Sequence, residues 1–157
     1  MEKGFVFPRG RILVATDGSE NANKSVQVAI ALAKQSHSEL VILTAVTSPV
    51  HVITSAIQSS IPDIDYSAGH YKETVERASN LVEESVRQAE KAGVAARGVV
   101  DRSVSTTVEA IVGEAVSSRA DLIVVGTRGL SGFRKFVVGS VSGGVLAHAP
   151  CSVLIVK

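Results

Sequence analysis

A chain of 157 residues with 45% apolar side chains is long enough to bury a core without disulfides or a structural metal, and too apolar to be disordered. Sixteen basic against fifteen acidic residues leave a net charge of +1, with no basic run interleaved with aromatics, which argues against a nucleic-acid partner. Charged or polar side chains break every apolar run before the ~18 residues that a membrane helix needs, so no membrane segment is expected.

The chain opens MEKGFVFPRGR, with charge but no continuous apolar stretch, so no secretory signal is expected and the cytoplasm is the predicted compartment. Arg11 to Ala15 then reads as the first strand. Ser19 is a suitable N-cap for a helix whose apolar stripe runs Ala22, Val26, Ala29, Ile30 and Ala33. A second strand is predicted over Leu40 to Val46. Thr47 to Asp65, with Pro49 and Pro62, is longer than an ordinary connection, and reads equally as a surface excursion or as a lid over a ligand.

Tyr71, Val75, Ala78, Val82, Val86 and Ala89 mark the apolar face of a second helix that Gly93 should stop. The third strand is predicted over Val94 to Val100. Thr106, with Glu109 three residues on, is a capping-box pattern that opens a helix through Val108, Ile111, Val112 and Ala115. Leu122 to Gly126 is the fourth strand, Ser140 to His148 a short helix ended by Pro150, and Ser152 to Val156 the fifth strand. The strand segments are continuously apolar and alternate with helices, which predicts right-handed βαβ crossovers and a parallel sheet buried on both faces, built as one doubly wound α/β domain over residues 1–157. Cys151, the only cysteine, sits in the apolar run CSVLIV and reads as a buried structural thiol.

The chemistry is concentrated after the fourth strand, where the chain reads GTRGLSGFRKFVVGSVS. Gly126 and Gly129 let backbone approach a ligand and take positive φ, and Gly139, Ser140, Val141 and Ser142 open a helix whose free N–H groups and dipole attract an anion. Ser140 and Ser142 add hydroxyl donors, and Arg128 is the favoured neutralising cation over Arg134 and Lys135. For any single glycine the alternative is a tight turn with close packing of helix on strand. At the end of the first strand, Asp17 places a carboxylate at the edge where doubly wound sheets bind ligands, suited to ribose hydroxyls, to a hydrated cation or to a first-turn cap. Neither a Walker A loop nor a G-x-G-x-x-G fingerprint occurs. Histidines 37, 51, 70 and 148 lack ligand spacing, so no protein metal site is expected, and no catalytic residue is assigned.

Three blocks, RILVATDGSENA, ADLIVVGTRGLSG and VVGSVSGGVLAHAPCSVLIVK, resemble the universal stress protein family over nearly the whole chain, and the glycine and serine spacing resembles its ATP-binding subgroup. The resemblance implies an adenine-nucleotide-hydrolase-like, Rossmann-like sheet of order 3-2-1-4-5 with helices on both faces. It implies a site in which Ala15, Thr16 and Asp17 lie beside adenine and ribose and the Val46 backbone reads the adenine edge. Val125, Gly126, Arg128 and Gly129 would line the ribose and phosphates, and Gly139, Ser140, Val141 and Ser142 would wrap the phosphate tail of ATP, AMP or ADP, with Mg²⁺ or Mn²⁺ accompanying it. It also implies a homodimer formed through Ser152, Val153, Leu154, Ile155 and Val156. One departure is Val100-Asp101-Arg102-Ser103, where the family often has a Gly-Asp-Pro-like turn.

The expected function is therefore a nucleotide-dependent homodimeric switch or interaction module in stress response. A slow ATPase or phosphotransfer enzyme and a nucleotide-free interaction protein are the alternatives. An adenylating enzyme is disfavoured because Asp17-Gly18-Ser19-Glu20 does not match the Ser-Gly-Gly-x-Asp-Ser loop of that class.

Overall fold

The computed structural model describes residues 10–46, 68–102, 106–127 and 139–157. In chain order these form β1 (Arg11–Ala15), α1 (Glu20–Ser36), β2 (Glu39–Ala45), α2 (Ala68–Lys91), β3 (Ala96–Asp101), α3 (Thr107–Ser117), β4 (Leu122–Gly126), α4 (Ser140–His148) and β5 (Ser152–Val156). The strands make one sheet of order β3-β2-β1-β4-β5, and all four pairings are parallel.

Alternation along each strand explains the continuous apolar runs. Ile12, Val14, Leu40, Ile42, Leu122 and Val124 point to one face, where they meet Val26, Ala29, Ile30 and Ala33 of α1 and Ala89 of α2. Leu13, Val41, Leu43, Ile123 and Val125 point to the other, against Ala110, Ile111 and Ala115 of α3 and Val145 of α4. Both faces need apolar side chains, so the period-2 pattern of a half-exposed sheet disappears from β1, β2 and β4. The edge strands differ from expectation, since β3 and β5 are only half-buried at most positions. Each has a ladder partner on one side only.

Helix ends follow from the side chains that close them. The Ser19 hydroxyl accepts the Ala22 N–H at 3.3 Å, and Thr106 Oγ1 accepts the Glu109 N–H at 3.1 Å. At the C-terminus of α1, His37 takes a left-handed conformation (φ 54°) and Ser38 returns its N–H to Ala33 O at 2.9 Å. Gly93 (φ 82°) ends α2 in the same way, with Val94 N–H bonded to Ala89 O at 3.0 Å. That bond holds Val94 in the helix exit, so β3 begins at Ala96 instead of Val94. Strand β2 is shifted one residue earlier than predicted, to Glu39–Ala45, and Val46 follows it with its N–H donated to Asp101 O at 2.8 Å. The predicted excursion from Thr47 to Asp65 lies outside the described residues.

Cys151 precedes β5 and packs against the second apolar cluster. Desolvation by burial, and secondarily the Asp121 carboxylate, raise its thiol above the ordinary range. The neutral thiol is thus favoured by the folded state. That contribution to stability is complete below the unfolded-chain value and is lost as pH rises through the folded one. Iodoacetamide is expected to modify Cys151 more slowly in the native protein than in urea, with the native rate rising only at more alkaline pH. Equal rates in both states would show that the thiol is not protected.

Candidate functional site

Because the chain winds outward from β1 to β3 and then crosses back to β4, the crossovers at β1 and β4 leave in opposite directions, and a crevice opens between them at the carboxyl ends of the strands. The space it encloses is about 120 Å³ and opens to solvent at its mouth. Its apolar walls come from Leu43 and Ala45 of β2, Val125 of β4 and Ile111 of α3.

The polar rim is built from two turns. After β1, Thr16 Oγ1 accepts the Gly18 N–H at 3.2 Å and Asp17 Oδ1 accepts the Ser19 N–H at 3.0 Å. Gly18 sits at φ 78°, the left-handed region that permits this reversal. The Thr16 main chain is tied to the sheet by its N–H to Leu43 O at 2.9 Å and by Thr44 Oγ1, which donates to its carbonyl at 2.8 Å. After β4, Thr127 donates its N–H to Val156 O at 2.9 Å, and its carbonyl accepts from Asn21 Nδ2 at 2.7 Å.

Of the residues predicted from sequence, Ala15, Thr16, Asp17, Val125, Gly126 and Val141 line the crevice together. Val46, which follows β2, is buried and is not among the lining residues, and its N–H is committed to Asp101 O. Gly139 is the N-cap of α4 and Ser140 its exposed first residue. Arg128 and Gly129 lie outside the described residues, as do Arg134 and Lys135.

Two expectations are corrected. Ser142 is 2% exposed and its hydroxyl donates to Gly139 O at 3.1 Å, so what this position can offer an anion is its backbone N–H. Gly126 does not take positive φ, and Gly129 lies outside the described residues. Gly126 allows close packing instead, because a Cβ there would stand 3.0 Å from both Asn21 O and Ser25 Oγ on α1.

Sequence reasoning missed Ser19, Asn21, Thr107, Ile111 and Thr127 as lining residues. A signal existed for α3: in a parallel α/β fold every crossover helix starts at the carboxyl edge, so the residue after the Thr106 cap and the buried Ile111 one turn further on, at i+4, face the same opening. Among the described residues no cluster of three or more His, Cys, Asp or Glu side chains is placed to hold a metal ion, and no helix is long and apolar enough to cross a membrane. His148 Nδ1 lies 2.8 Å from Gly144 O within α4.

The sheet order and the edge crevice place the chain among doubly wound α/β folds with an opening at the switch point of the sheet. The family model for universal stress proteins matches residues 8–157, and the chain belongs to that family. A universal stress protein of Synechocystis, Sll1388, is 36% identical over 154 residues, covering 94% of this chain and 97% of its own. The universal stress protein YxiE of Bacillus subtilis is 32% identical over 154 residues, covering 94% and 98%. A solved universal stress protein in complex with cAMP superposes with a TM-score of 0.65 and 27% identity, covering 96% of this chain and 98% of its own.

The packing role of Gly126 is directly testable. Gly126→Ala forces a methyl group against the Asn21 carbonyl and the Ser25 hydroxyl, and is expected to cost about 1–3 kcal/mol of stability in urea unfolding. A variant as stable as the wild type would show that α1 can withdraw freely from β4.

Proposed function

We propose that this protein binds an adenine nucleotide, ATP or its mono- or diphosphate, in the crevice between β1 and β4, and that occupancy sets the state of a homodimeric interaction module. The observation that carries the reading is the contrast among the three helix starts around the crevice. The start of α1 is capped by Ser19 and that of α3 by Thr106. The start of α4 has Gly139 at the cap, and among the described residues no side chain caps it. An uncapped N-terminus that follows a glycine-rich segment and contributes Val141 to the cavity suits a phosphate tail.

In this reading the apolar walls of Leu43, Ala45, Ile111 and Val125 sandwich the base, the Val46 carbonyl meets its exocyclic amine, and Asp17 accepts from the ribose. Gly126 lets β4 pass close to the sugar, and Arg128 with Gly129 completes the phosphate cradle together with Gly139, Ser140, Val141 and Ser142. The described lining offers a single carboxylate, Asp17, so a Mg²⁺ or Mn²⁺ would be held mainly by the phosphates. That carboxylate is fastened in a turn by the Ser19 N–H, an arrangement suited to holding a ribose more than to activating water, and binding is preferred over turnover. The solved relative in complex with cAMP supports an adenine nucleotide as ligand.

The two sheet edges support the dimer. Strand β3 carries Arg97 and Asp101, whereas β5, Ser152–Val156, carries no charge and leaves four apolar side chains half-buried. Charge protects an edge against pairing, and the uncharged edge is the one proposed to pair across a two-fold axis in the cytoplasm.

Calorimetry with ATP is expected to show binding by the wild type, a loss of about tenfold in Asp17→Ala, and no measurable binding in Gly139→Val, whose side chain would stand over the free N–H groups. A hundredfold excess of ATP over Kd is expected to stabilise the fold by on the order of 3 kcal/mol. Equal affinity in all three proteins, or none in the wild type, would overturn the site. Sedimentation at micromolar concentration is expected to show a dimer, and a monomer under those conditions would remove the edge-pairing proposal.

A further inference from the structure

The crevice rests on one long-range side-chain bond that the helical pattern of α1 does not account for. Asn21 lies outside the buried stripe of Ala22, Val26, Ala29, Ile30 and Ala33, yet it is half-buried and lines the cavity. Its amide nitrogen donates to the Thr127 carbonyl at 2.7 Å, across 106 positions of sequence. Asn21 is itself held in place. Its carbonyl accepts the hydroxyl of the fully buried Ser25 at 3.0 Å, and side-chain-free Gly126 lets β4 lie directly against this turn of helix.

Thr127 is fixed from its other side by its N–H to Val156 O at 2.9 Å. It is the last described residue before Arg128 and Gly129, so the point where the chain enters its glycine-rich segment is clamped between β5 and α1. Asn21 also begins two residues beyond Ser19, whose N–H holds Asp17. One amide thus sets the spacing between the turn after β1 and the exit of β4, the two polar sides of the cavity.

We infer that Asn21 is a positioning residue for the nucleotide site, holding the exit of β4 at the distance from the Asp17 turn that the phosphate-bearing half of the ligand requires. This rests on the adenine-nucleotide reading above. The residue acts through Thr127, so its influence falls on the phosphate side of the ligand, while the base, walled by Leu43, Ala45, Ile111 and Val125, is little affected. The isosteric variant Asn21→Asp replaces the donor with a carboxylate facing the Thr127 carbonyl, and Asn21→Ala removes the group without adding charge.

Affinities for ATP, AMP and adenosine are measured by calorimetry in the wild type and both variants, with thermal midpoints alongside. In Asn21→Ala the expected loss is about tenfold for ATP, the size of one part-buried hydrogen bond left unmade, smaller for AMP, and below about twofold for adenosine. In Asn21→Asp the ATP loss is expected to be larger, because the added charge opposes the phosphates. Equal losses for all three ligands, tracking a fall in thermal midpoint, would reduce Asn21 to a structural contact and overturn the inference, as would unchanged ATP affinity in both variants. Should Asn21→Asp fail to fold, Asn21→Ala decides by the same comparison. A wild type that binds none of the ligands would instead overturn the nucleotide reading itself, so the two failures are told apart.

Discussion

A parallel sheet covered on both faces obliges every connection to travel back along the outside, and a helix is the form in which that return pairs its backbone groups internally except at its two ends. Each crossover therefore delivers a helix N-terminus and a strand C-terminus to the same edge of the molecule. Here the core that enforces this arrangement is aliphatic: Ile12, Leu13, Leu40, Ile42, Leu43 and Ile123 are among the largest fully buried side chains. Each buried Leu or Ile contributes on the order of 1.5–3 kcal/mol relative to an exposed one. Apolar burial of this kind supplies most of the stability of the sheet.

The opening itself comes from the reversal of winding between β1 and β4. At that point α1 and α3 lie on opposite faces, and nothing in the ladder fills the space above the strand ends. What keeps the space to a useful width is close contact on one side, where Gly126 admits the Asn21 and Ser25 turn of α1. On the other side Gly144 performs the same service between helices, since a Cβ there would stand 2.7 Å from Val108 Cγ2 on α3. Small residues thus set the helix positions, and the helix positions set the cavity.

The polar groups around the site divide by how their backbone needs are met. Ser19 and Thr106 close their own helices, the Asp17 and Thr16 side chains brace the turn after β1, and Ser142 turns inward to Gly139. These hydroxyls and carboxylates first secure local structure. The start of α4 is the exception, with a cap residue that has no side chain to spend. A helix terminus without a side-chain cap carries a partial positive charge at its N-terminal end.

Much of this was legible in the order of residues. The five apolar segments, the Ser19 and Thr106 caps, the Gly93 stop and the span Ser140–His148 all report on a residue's own backbone and its own burial, which local patterning encodes through side-chain period, hydrogen-bonding groups near helix ends and the freedom of glycine. Only the folded chain could decide that Gly126 faces Asn21 and Ser25, that the Ser142 hydroxyl points inward, and that Asn21 reaches Thr127. Those facts pair groups up to 106 positions apart. Such pairings are fixed by how crossovers of given length pack onto a twisted sheet, a geometry that no short window of sequence contains.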